Sequence, residues 1–191
     1  MTSRKRVFLA VVISVFGALV LEVAVVLIIV YTGLYSVAAS QPHTRLAHWL
    51  LDTTMERSVE QHAGGVQPPG PASVTEGASH FAEMCVVCHG APGVYPSEIG
   101  QGLNPVPPEL SEAAADWSLQ EVYWIVKHGI KMTGMPAFGP THKEEQLWAL
   151  AHFVKQLPQL SPAQYQDLVA KAGRQEQSGA ASQSKSMEPQ H

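Results

Sequence analysis

Hydrophobic and polar positions divide the chain into three regimes. From Val7 to Val30, 24 residues are apolar except for Ser14, Gly17 and Glu22. As a helix rising 1.5 Å per residue, this run reaches about 36 Å, enough to cross a hydrocarbon core of roughly 30 Å. It is longer than the apolar stretch of about 7 to 15 residues in a cleaved secretory signal. It is therefore expected to remain as an anchor, although Ser36, Val37 and Ala38 offer a small-x-small cleavage option. Arg4, Lys5 and Arg6 precede the run, and basic residues stay on the cytoplasmic side. Everything after Tyr31 is thus expected on the outer side of a cytoplasmic membrane crossed once. Tyr31 and Tyr35 stand where interfacial aromatics belong. Glu22 is the odd residue: a carboxylate there either marks a partner subunit or is protonated or near water, and the two readings stand about even.

The second regime has helical period. Between Thr44 and His62, Ala47, Leu51, Met55 and Val59 recur every four positions against Asp52, Glu56, Arg57 and Glu60, predicting an amphipathic helix for the outer membrane surface or a partner protein. Gly64, Gly65, Pro68, Pro69, Gly70 and Pro71 then make a semi-rigid linker. Four capping boxes announce further helices: Ser73 with Glu76, Ser118 with Glu121, Thr141 with Glu144, and Ser161 with Gln164. The first helix should run to the cysteines, the second should stop at Gly129 and the third before Pro158. The fourth should be short, ending by Gly173. From Gly90 to Asp116, five prolines and four glycines with no two-residue alternation predict a long loop wrapped around a large group.

The third regime, beyond Gly173, is rich in Ser, Gln and Ala and too poor in apolar residues to order itself. The resulting division is an anchor with a basic stub (1–31), an amphipathic helix and linker (32–72), a compact domain (73–158), and a short helix with a disordered tail (159–191).

Charge and cysteine content narrow the chemistry. After the apolar run, 9 basic residues face 15 acidic ones, a net of −6 and no nucleic-acid-binding balance. With only Cys85 and Cys88, a multi-bridge disulfide framework and a four-cysteine zinc site are both excluded. The run Cys85-Val86-Val87-Cys88-His89 is the C-x-x-C-H pattern of covalent haem c attachment. Two thiols three residues apart at a helix end present both sulfurs on one side for thioether bonds, and the adjacent imidazole reaches the iron. A thioredoxin-like pair needs a βαβ context, and a zinc site needs further ligands. Forty-six residues on, Met135 sits between Gly134 and Pro136, a turn-like setting for a distal thioether ligand. Met132 is its local rival, and His80, His128, His142 and His152 are further candidates, of which His128 is the nearest competitor. Lys127 and Lys131 bracket the approach to this loop and offer one docking element, whereas the segment 73–158 as a whole carries 4 basic and 9 acidic residues and reads equally as a solvated acidic face or as a surface for a partner's basic patch.

These segments, from about Ser73 to Pro158, together resemble a class I c-type cytochrome. The carriers are the helix ending in Cys85–His89, the Met135-Pro-Ala-Phe-Gly loop and the Glu145–Val154 helix. The resemblance implies an all-α fold with long loops and one covalently bound haem. It implies that the first and last helices cross around Gly77, Phe81, Trp148 and Phe153. It also implies a proline holding the backbone near the ligand histidine, with Pro105, Pro107 and Pro108 all eligible. The expected protein is an electron carrier rather than an enzyme, exchanging single electrons with an oxidase, a quinol-oxidising complex or a dehydrogenase near the membrane. The alternatives are a haem enzyme or gas sensor with a labile Met135, and an obligate haem subunit of a larger membrane oxidoreductase.

Overall fold

The computed structural model describes residues 3–67 and 69–186. The chain divides into two compact units, Met1–Gln41 and Pro42–His191. The first is α1, Ser3–Thr32, whose stretch Arg4–Thr32 has a mean hydropathy of 2.9 and none of its side chains buried. It is long and apolar enough to cross a membrane, as the hydrophobic run predicts.

The second unit is helical, and among the described residues it holds no β-strand beyond one isolated bridge, Ala91 to Val94. Its elements are α2 (Arg45–Ala63), α3 (Val74–His80), a π-helical turn (Phe81–Cys85), α4 (Val86–His89), α5 (Glu98–Gln101), α6 (Leu110–Ala113), α7 (Leu119–His128), α8 (Glu144–Gln156) and α9 (Pro162–Ser186). Most starts follow the caps read from sequence. Ser73 accepts from the Glu76 amide, and Ser118 and Glu121 close a reciprocal capping box. Ser161 and Gln164 do the same for α9. The expected Thr141 cap fails. Its hydroxyl donates to the Phe138 carbonyl, and α8 starts two residues later at Glu144, where the Gln146 side chain accepts the Lys143 amide.

The core lies where α3 crosses α8. Gly77 permits this crossing, because a Cβ there would stand 2.2 Å from the Ala149 carbonyl oxygen and 2.8 Å from the Phe153 Cβ. Phe81, Trp148 and Phe153 are buried around it, as the resemblance implies. Each such side chain contributes about 1.5–3 kcal/mol by leaving water. α7 joins the pair through Tyr123, stacked on Trp148 at 4.2 Å and 10°. Lys155 of α8 fastens the loop before α7 by donating to the carbonyls of Ala114 (2.7 Å) and Trp117.

Two expectations change. The end of α2 packs on α7 of its own chain, with Val59 and Ala63 buried and His62 5.7 Å from Trp124. The apolar stripe alone could not show that its C-terminal part has an intramolecular partner. Its N-terminal part leaves Leu46, Trp49 and Leu50 exposed. Secondly, α9 continues through Gly173 to Ser186. Gly173 costs a helix about 1 kcal/mol, but the Gln, Lys, Arg, Glu and Ala around it are good helix formers and no proline intervenes. Of the expected tail, residues 187–191 lie outside the described residues. The Gly90–Asp116 loop is as long as expected, though it includes the single-turn helices α5 and α6.

Candidate haem site

The site is built from one helix end and two loops. α3 swells into the π-helical turn at Phe81–Cys85 and tightens again into α4, which carries Cys88 and His89. Such π-turns inside helices are frequent at functional sites. Gly90 ends the helix with φ of +65°. A Cβ there would meet the Val94 carbonyl oxygen at 2.7 Å. The following turn folds back, and Ser97 donates through both its amide (3.0 Å) and its hydroxyl (2.7 Å) to the Val87 carbonyl. Gly100 then packs on the motif so closely that a Cβ would stand 2.8 Å from the Cys88 Cα.

Cys85 and Cys88 are both free thiols. Cys85 is buried, and that burial, with the neighbouring Cys88 charge adding to it, pushes its thiol up to about 12. It is therefore neutral and unreactive as a thiolate nucleophile once the protein has folded. His89 Nδ1 lies 2.9 Å from the Pro108 carbonyl oxygen. Since a carbonyl only accepts, Nδ1 carries the hydrogen and Nε2 keeps its lone pair for a metal. Burial holds this imidazole below its ordinary value, opposed by the Pro108 bond. Of the three eligible prolines, Pro108 is the one whose carbonyl orients the histidine.

Met135 lies on the loop leaving α7. Gly129, at φ +65°, begins this loop and sits against it, and a Cβ there would come within 2.6 Å of the Pro136 carbonyl carbon. The Phe138 and Gly139 amides donate to the Val126 and Lys127 carbonyls, and the Met135 amide donates to Thr133 Oγ1 at 3.1 Å. Met135 is half-buried and packs against the core cluster that contains Cys85. Met132, its rival, is 82% exposed at φ +61°.

The histidine rivals are engaged elsewhere. Gln146 Nε2 donates to His80, His142 pairs with Thr141 and Phe138, the His128 ring lies 4.8 Å from Trp124 at a tilt of 36°, and the His152 ring lies 6.2 Å from Trp148. Lys127, one candidate docking element, is tied to the Glu144 carboxylate and the Tyr123 hydroxyl. Lys131 remains exposed.

The donor set fits haem c. Two unoxidised thiols share one helical turn, an imidazole has its Nε2 lone pair free, and a half-buried thioether stands on a separate loop. Residues 72–154, 83 of the chain's 191, match the family described as cytochrome C oxidase, cbb3-type, subunit III. No curated protein matches the chain. Fold and family match together define residues 72–154 as a c-type cytochrome domain. The chain therefore carries a c-type cytochrome domain, which implies haem-based electron transfer through covalently bound haem c, and an N-terminal helix long and apolar enough to cross a membrane.

Proposed function

We propose that this protein is a membrane-tethered carrier of single electrons, binding one haem c. Cys85 and Cys88 would hold the haem through thioethers, and His89 and Met135 would be the ligands to its iron. When bound, haem c supplies a one-electron iron couple. The chain's own contribution is to fix both ligands, bury the attachment and exclude water. The carrying observation is the His89 Nδ1–H bond to Pro108, which fixes the ring's tautomer and direction beside the two free thiols. An iron held by both residues would exchange electrons while leaving no site open to small molecules. In this reading residues 1–31 anchor the chain, 32–72 connect it and 73–158 form the working domain on the outer side of the cytoplasmic membrane. The tether raises the effective concentration near membrane donors and acceptors.

The match to an oxidase subunit favours a membrane oxidase among the partner classes, and it supports a second reading in which the chain is a subunit of such a complex. Extraction from native membranes followed by sizing separates the two: a carrier runs alone with full haem, a subunit runs with its complex. The first reading is tested on protein matured in a host competent for haem attachment. Pigment should survive denaturation and acid-acetone washing. The oxidised protein should show low-spin iron with a sulfur-to-iron charge-transfer band, and Met135→Ala should abolish that band while leaving the pigment attached. Loss of pigment on washing would refute covalent attachment.

A further inference from the structure

The two ends of α2 meet different surroundings. At its C-terminal end Val59 and Ala63 are each 1% exposed, and His62 lies 5.7 Å from Trp124 of α7. At its N-terminal end Leu46, Trp49 and Leu50 are 72, 62 and 55% exposed. Leu46, Leu50, Thr53 and Arg57 follow one another at intervals of four, three and four residues, so they share one side of the helix, with Trp49 three residues from Leu46 on that side. Val59 and Ala63 lie on another side, so docking on α7 leaves the Leu46 side bare. That side is apolar where α2 begins and polar where it approaches the docked end.

Charge follows the same gradient. Arg45–Leu51 holds an arginine and a histidine and no carboxylate, whereas Asp52, Glu56 and Glu60 all come later. The mixed charge of α2 as a whole thus belongs to the part nearer α7. Leucines and a tryptophan beside a basic residue, without acidic neighbours, are the composition of a helix lying at a lipid headgroup boundary. The chain also fixes how far this face can be from such a boundary. Residues 33–44 alone separate α1 from α2, and fully extended they reach at most about 40 Å. Leu34, Tyr35 and Val37 within them are exposed apolar residues too.

We propose that the N-terminal part of α2 seats Leu46, Trp49 and Leu50 in the headgroup region of the bilayer in which α1 is anchored, with Arg45 toward lipid phosphates. This rests on the anchored reading above. Because the other end of α2 is docked on α7, the cytochrome domain is held down on the membrane surface instead of swinging on a loose tether. The short reach of residues 33–44 keeps lipid at high effective concentration around this face, and a protein partner has no comparable covalent advantage.

The test uses the full-length chain in membranes whose phospholipids carry radioactive phosphate. A photoreactive benzoylphenylalanine is placed at position 49, at position 46 in a second variant, and at position 61 as the comparison, about 18 Å further along the helix from position 49. After irradiation and denaturing electrophoresis, positions 49 and 46 should carry several-fold more phosphate label than position 61. Equal labelling at all three positions overturns the proposal. So does an adduct at positions 46 and 49 with a second copy of the chain or with another polypeptide in place of lipid. Release of the chain by an alkaline wash before irradiation overturns the anchored reading and this inference with it, whereas an anchored chain without the lipid adduct overturns this inference alone.

Discussion

The two segments that carry the candidate iron ligands are held in opposite ways. His89 is fixed through its side chain: the ring bonds the Pro108 carbonyl, and its backbone ends a helix clamped from behind by Ser97 and Gly100. Met135 is fixed through its backbone, by Thr133 Oγ1 and by loop amides returning to the last turn of α7, while its half-buried side chain only packs on the core cluster without a directed bond. Its neighbours Pro136 and Ala137 are exposed, and Met132 beside it is largely in solvent. One candidate ligand is thus preorganised by directed hydrogen bonding and the other by loop shape. The methionine side is the more easily opened, and it is where a labile ligand would be engineered or found.

The largest test strikes the close approaches on each side. Gly100→Val should drive a side chain into Cys88 and abolish haem retention, whereas Gly129→Val should spare attachment and detach the methionine loop. Strain at φ +65° and the overlap with Pro136 together should cost the second variant about 2–4 kcal/mol. Pigment after denaturation and the sulfur-to-iron band distinguish the two outcomes. If Gly129→Val keeps that band, the loop does not depend on this contact.

A smaller effect is expected from Thr133→Val, which removes the acceptor for the Met135 amide and should cost about 1 kcal/mol. Binding of added imidazole by the oxidised protein should become several-fold tighter, since Met135 then competes less well. The same measurement on Ser97→Ala, on the histidine side, should show little change.

The smallest effect is one of pH. Burial, then the charges of Lys127 and His62, hold the His128 imidazole below its ordinary 6.5. Its neutral form is therefore favoured by the fold. The stability it contributes is complete above 6.5 and is lost as pH falls from there through the lowered folded value. The thermal midpoint should decline slightly between pH 7 and 5, and His128→Gln should flatten that part of the profile. Because His128 is exposed, solvent screening keeps the effect small.

Much of this architecture is legible along the chain because it depends on local chemistry. Cap residues satisfy amides two or three positions away, so Ser73, Ser118 and Ser161 mark their helices directly. The apolar run of α1 and the C-x-x-C-H motif are likewise contiguous, and each states its chemistry within a few residues. Thr141 misleads because its hydroxyl is turned to the Phe138 carbonyl and the His142 ring while Lys143 and Gln146 cap the helix instead, a choice that spacing does not reveal. Gly173 misleads because a glycine ends a helix only where the chain takes a left-handed turn.

By itself, then, the sequence determined the helical class, the attachment motif and the choice of Met135 as candidate, since these follow from residue type and short-range periodicity. Only the folded chain shows that Pro108 orients His89, that α2 docks on α7, that Lys127 is already paired and that Tyr165 packs on Phe81 and Phe153. Each of those joins residues far apart in the chain, and which partners meet depends on how helices cross. That crossing is set by the backbone approach at Gly77 and by the packing of Phe81, Trp148 and Phe153, not by any neighbour in sequence.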